Sequence, residues 1–143
     1  MNRDFRECLR NKKLMPFPRA KRLVRKEVCA AEEDLVEAQD RFGHSKYKYA
    51  TITAYYAIFH AARALVYSRG YRERSHHCLG VALDVFFVER SLMEDRFIKL
   101  FRDTMSLRED ADYGASFSEE GAAISITNAK EFIQVMRDLL SSD

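Results

Sequence analysis

Ala50-Thr-Ile-Thr-Ala-Tyr-Tyr-Ala-Ile-Phe-His-Ala-Ala-Arg-Ala-Leu-Val-Tyr67 is the stretch on which the fold turns. At helical spacing it resolves into faces. Ala50, Ala54, Ala57, Ala61 and Ala64/Leu65 form a stripe of small residues, against which another helix can approach closely. Tyr55, Phe59, Ala62 and Val66 line one neighbouring stripe, and Tyr56, His60, Arg63 and Tyr67 another. A helix that is apolar nearly all round is buried on more than one side. The reading is a central helix from about Ser45 to Arg69, stopped by Gly70. The alanine and aromatic stripes are not expected to face one small core together, so a homodimer through this helix is also expected.

Working outward, an upstream helix is predicted from about Arg19 to Phe42, with Val24, Val28, Ala31, Leu35, Ala38 and Phe42 on one narrow stripe. Gly43 is expected to stop it in the left-handed conformation. Residues 1–18 have no clean period and end at Met15-Pro16-Phe17-Pro18, where the prolines hold the chain extended. They are assigned as a basic N-terminal arm, with residues 19–143 as the helical domain. Downstream, Ser75 is a natural N-cap for a helix from His76 to Val88. Ser91-Leu-Met-Glu94 and Ser116-x-x-Glu119 match capping boxes, opening a fourth helix that reaches about Ala111 and a fifth carrying Ile126, Phe132, Ile133, Met136 and Leu140. No alternating Val/Ile/Thr run competes. The fold class is all-α, an antiparallel five-helix bundle.

Composition narrows the field. The 143 residues are 47% hydrophobic and 32% charged, with 5 Gly and 2 Pro, which excludes disordered and collagen-like chains. The net charge of +2 hides an asymmetry: residues 1–29 hold ten Lys/Arg against three acids, and the remainder fourteen against nineteen. That basic front reads first as a docking surface and second as a grip on RNA. Cys8, Cys29 and Cys78 make no disulfide framework or CxxC pair, so buried or idle thiols in a reducing cytoplasm are expected. No apolar leader precedes the charged Arg3, Asp4 and Arg6, and no run is long enough to span a bilayer, so neither secretion nor membrane insertion is expected. Phosphate-loop, dinucleotide and hydrolase-elbow motifs are missing.

Three segments, Ala54 to Leu65, Gly70-Tyr-Arg-Glu-Arg-Ser-His76 and Leu107-Arg-Glu-Asp-Ala-Asp-Tyr113, resemble in order and spacing the small stand-alone prokaryotic branch of the HEPN domain superfamily. The likeness extends over roughly residues 20–140. It implies a helical bundle that dimerises through its central helices, pairing with a minimal nucleotidyltransferase as a toxin–antitoxin unit, and metal-independent RNase activity in many members. It also implies contact with RNA or nucleotide.

The signature of those RNases is Arg, four to six residues, then His. Its Arg falls here at Arg108, but Tyr113 stands five residues on and no His follows up to Asp143. Moving the proton of a ribose 2′-OH calls for a group titrating near neutrality, and imidazole suits that range where an ordinary carboxyl or phenol does not. The site residues implied are Arg108, Asp112 and Tyr113, with His76, part of a recurring Ser-His, able to stand in for the missing His if the fold brings it to Arg108. The plain alternative for Arg108 and Asp112 is an i,i+4 ion pair. Partner transferases of related toxins attach AMP to a Tyr near the signature, which makes Tyr113 a candidate acceptor. His76, His77 and Cys78 point apart on a helix and lack metal-ligand spacing, so no metal and no cofactor are expected. His60 is read as a hydrogen-bonded core or interface residue.

Overall fold

The computed structural model describes residues 2–142. Helix α1 spans Arg3–Arg10, strand β1 Leu14–Pro16, a 3₁₀ segment Pro18–Leu23, helix α2 Val24–Gly43 and helix α3 Tyr47–Ser68. Strand β2 (Tyr71–Glu73) leads into helix α4 (His76–Leu83), which continues as a π-helical turn over Asp84–Val88. Helix α5 (Arg96–Asp112) and helix α6 (Glu119–Ser141) complete an all-α bundle, with one small antiparallel ribbon between β1 and β2.

Helix α3 is the axis of the bundle. Ala50, Ala54, Ala57, Ala61 and Ala64 have no accessible surface, and α2, α5 and α6 pack along them. The single chain also buries Tyr55, Phe59, Ala62 and Val66. Both stripes are thus covered within one subunit, so the argument that a dimer is needed to cover them does not hold. Small side chains explain why: they let helix axes approach closely enough for α3 to be surrounded without voids. Gly80 in α4 also faces the Phe101 ring, which an added Cβ would just touch.

Helix ends agree with the sequence signals only in part. Ser75 caps α4 as expected, its Oγ accepting from the Cys78 N–H at 3.0 Å, and Gly70 turns with φ +77°. Gly43, by contrast, remains helical, and the left-handed residue is Ser45 at φ 61°. Ser91 is no cap. Its φ is 59°, and the N–H groups of Leu92 and Met93 bond back to the Phe87 carbonyl, so this segment closes the π turn and buries Met93. Helix α5 starts later, at Arg96. Ser116 is held to the end of α5 by its N–H on the Asp110 carbonyl, and Ser118 caps α6 instead, accepting from the Gly121 N–H at 2.9 Å.

The largest departure is at the front of the chain. Residues expected to form an aperiodic arm carry helix α1 and strand β1, with Phe5, Cys8 and Leu14 buried. Phe5 meets Phe86 edge-on at 5.6 Å and Tyr71 at 6.4 Å. Cys8 and Cys78 are joined by a disulfide, their Cα atoms 5.8 Å apart, contrary to the expectation of idle thiols. A pair 70 residues apart has no spacing signal, and only the docking of α1 on α4 brings it together. Cys29 remains free and exposed.

Closing a loop of 70 residues lowers the entropy of the unfolded chain, and on that account the bridge contributes roughly 4 kcal/mol. Reduction, or Cys8→Ser, is expected to move the guanidinium unfolding midpoint down accordingly. Coincident transitions for oxidised and reduced protein would contradict this.

Candidate functional site

The site is assembled around Arg108, on the last turns of α5. Its side chain is only 12% exposed, and the guanidinium sits over three tyrosine rings, with centroids at 5.8 Å (Tyr55), 5.2 Å (Tyr56) and 5.3 Å (Tyr113). One terminal nitrogen donates to Tyr56 Oη at 2.8 Å and lies 3.3 Å from Asp112 Oδ2, one turn along the helix. The Arg108 Nε–H is buried and has no hydrogen-bond partner. Ring faces attract the cation, and the tyrosine hydroxyl and Asp112 fix its orientation. An unpaired buried donor is costly, and this one is held in place by the rings and carboxylate around it.

His76 enters from the start of α4. Its Nδ1 is hydrogen-bonded to Tyr55 Oη, and its ring stacks on Phe59 at 4.6 Å and on Tyr55 at 5.6 Å. Burial first, and then the Arg108 charge, hold its pKa below the ordinary value of 6.5, so the imidazole is neutral at neutral pH. Burial likewise raises the ionisation of Tyr55 far above the usual phenol range. Tyr55 therefore keeps its proton, and where its Oη accepts from the His76 Nδ1–H the free lone pair of the neutral ring lies on Nε2.

Arg108, Asp112, Tyr113 and His76 thus lie in one neighbourhood, with Tyr55 as the shared contact of Arg108 and His76. The i,i+4 pair between Arg108 and Asp112 is present as well. Tyr113 is 76% exposed and its ring lies against the guanidinium. Sequence reasoning missed Tyr55 and Tyr56 as site members, having assigned them to packing stripes. Their adjacency to Ala54 in the resembling segment was the only available signal. Cys78 is held in the disulfide and cannot ligate a metal.

A second polar cluster lies behind the first. Arg63 donates to Glu73 at 3.0 Å and lies 3.6 Å from Glu27, while His60 Nδ1 is 2.6 Å from Glu27 and Nε2 is 3.7 Å from Asp34. His60 is therefore a hydrogen-bonded, partly buried residue. Burial raises the Glu73 pKa, and Arg63 pulls it partly back. Arg63 also covers the Phe59 ring at 5.0 Å, so the two clusters share Phe59.

A model of the HEPN domain matches residues 24–140. The chain is 30% identical over 122 residues to the "Putative toxin" of Methanocaldococcus jannaschii, covering 82% of this chain and 91% of that protein. It is also 30% identical over 115 residues to a UPF0332 protein of Archaeoglobus fulgidus, covering 79% and 91%. The chain belongs to the HEPN domain family.

The lowered His76 pKa sets a sign for stability. As pH falls below about 6.5, the unfolded chain takes the proton before the folded one does. The stability contributed by neutral His76 is complete above that value and is lost as pH falls through the lower native pKa. The melting temperature of the wild-type protein should therefore drop toward that of His76→Asn on acidification from about pH 7.5 to 5. A difference independent of pH would contradict the assignment.

Proposed function

We propose that this chain is the toxin-like component of a HEPN–nucleotidyltransferase pair, acting on RNA from the Arg108 site. One juxtaposition carries the reading: Arg108 and His76 engage the same tyrosine, Tyr55. In that arrangement the guanidinium holds the phosphate beside the bond to be broken, with Asp112 yielding its place to the incoming anion. His76 Nε2 takes the 2′-OH proton as the ribose oxygen attacks phosphorus and the 5′-oxygen leaves. Its neutrality at pH 7 suits it to the base role, and it replaces the histidine missing after Arg108. The relative named as a toxin supports the biological half of the proposal.

The proposal includes a homodimer. Tyr113 and Phe117, both exposed beside the site, are the surface a second copy would cover. A monomer in light scattering at micromolar concentration would count against it.

A second reading has its own observation. The His76 ring is stacked on Phe59 and bonded to Tyr55, which suits a fixed structural residue as well as a base. On that reading the domain binds nucleotide, RNA or a protein partner without cleaving. Expression of the chain should arrest bacterial growth, Arg108→Ala should relieve the arrest, and co-expression of a cognate minimal nucleotidyltransferase should do the same. Purified protein should cleave bulk RNA, with Arg108→Ala and His76→Ala each losing about a hundredfold or more. RNA-dependent thermal stabilisation without cleavage would select the non-catalytic reading.

A further inference from the structure

The basic front of the sequence acquires a specific neighbour in the fold. Strand β1 pairs with β2, Leu14 opposite Glu73 and Met15 opposite Arg72. Because strand residues alternate, Glu73 turns inward to Arg63 while Arg72 and Arg74 remain exposed. The Arg74 N–H donates to the Lys13 carbonyl at 2.8 Å, which lays Lys12 and Lys13 alongside. On the other flank the Lys21 side chain lies against Gly70. Among the described residues none of Lys12, Lys13, Lys21, Arg72 and Arg74 forms an ion pair, in contrast to Arg63. Between them is a concave pocket of about 600 Å³ lined by Met15, Phe17, Arg63, Arg72, Glu73 and Arg74. The Arg72 guanidinium sits 5.6 Å from the centre of the half-buried Phe17 ring.

We propose that this pocket and its flanking lysines bind single-stranded nucleic acid and lead the strand to the Arg108 and His76 site. Uncompensated cations call for a polyanion. The aromatic floor with an arginine over it distinguishes the kind. A base unstacked from its neighbours can lie on Phe17 and Arg72 while its phosphates meet Arg74 and the lysines. A duplex keeps its bases stacked and cannot offer one to a pocket, and an acidic protein surface has no use for a stacking platform.

Continuity with the site favours a polymer over a free anion. Arg74 is two residues from His76, at most about 7 Å of extended chain. Arg63, in the pocket wall, covers Phe59, on which His76 stacks. One strand can therefore touch both places. The binding face stands without the toxin reading; its use in presenting RNA for cleavage rests on that reading.

The test uses the purified full-length chain and a fluorescein-labelled single-stranded oligouridine, followed by fluorescence anisotropy at several salt concentrations. Joint Arg72→Ala and Arg74→Ala substitution is expected to weaken binding about tenfold or more and to reduce the salt slope by about one to one and a half. Phe17→Leu should weaken it about five- to tenfold with the slope unchanged. Lys130→Ala, which removes an exposed cation from α6, should change nothing. Melting curves confirm that each variant is folded. Absence of binding at low salt would overturn the proposal. Binding that ignores Phe17 and is competed equally by polyglutamate would also overturn it, marking a docking face for an acidic protein. Oligonucleotide binding with these dependences, in a chain that neither arrests growth nor cleaves RNA, would uphold the face and reject the toxin reading.

Discussion

Helix α3 has no side that water can solvate cheaply, and the rest of the molecule is arranged by that constraint. Fourteen of its residues are buried, so helices must cover it on several sides, and its alanines make the close approach possible. The same constraint bears on its polar residues. Tyr55, Tyr56, His60 and Arg63 sit on a helix that is otherwise enclosed, and a buried polar group without a partner costs more than most single contacts gain. Each has found one: His76, Arg108, Glu27 and Glu73 respectively. The candidate site is what the satisfaction of these groups looks like where the helix nears the surface.

The charges behind the site follow the same logic at higher stakes. Glu27 and Glu73 are both buried, and Arg63 lies between them. Burial alone would weaken the Arg63 charge, yet the charge and hydrogen bond of Glu73 outweigh it and raise its pKa. A buried ion pair of this kind is a weak source of net stability but is expensive to break. Its placement is more telling than its energy: Glu73 belongs to β2, so the pair anchors the ribbon, and with it the basic front, to the central helix. Docking of the front is thus tied to the interior by one ion pair and one disulfide.

Local signals were reliable where the chain had no stronger obligation. Ser75 caps α4 and Gly70 turns left-handed because nothing else competes for them. Ser91 and Ser116 carry the same lettering as caps, but Ser91 lies where the π turn bonds back to Phe87, and Ser116 where its own N–H closes the end of α5. A capping box records what the side chains can do, and backbone hydrogen bonds formed by neighbouring turns decide whether they do it. The front of the chain escaped for a related reason. Phe5, Cys8 and Leu14 are too few and too widely spaced to show a period, and their burial depends on surfaces contributed by Tyr71, Cys78 and Phe86 far along the sequence.

The all-α class and the central helix with its stripes were written in the sequence, because helical periodicity is a local property, and the family resemblance singled out Arg108, Asp112, Tyr113 and His76 as candidates. That Tyr55 joins His76 to Arg108, and that Cys8 meets Cys78, was decided only by tertiary structure. So was the way β1 lays the lysines of the front beside Arg72 and Arg74. Each is a contact between elements whose separation along the chain leaves no mark on either, and packing around α3 is what makes them neighbours.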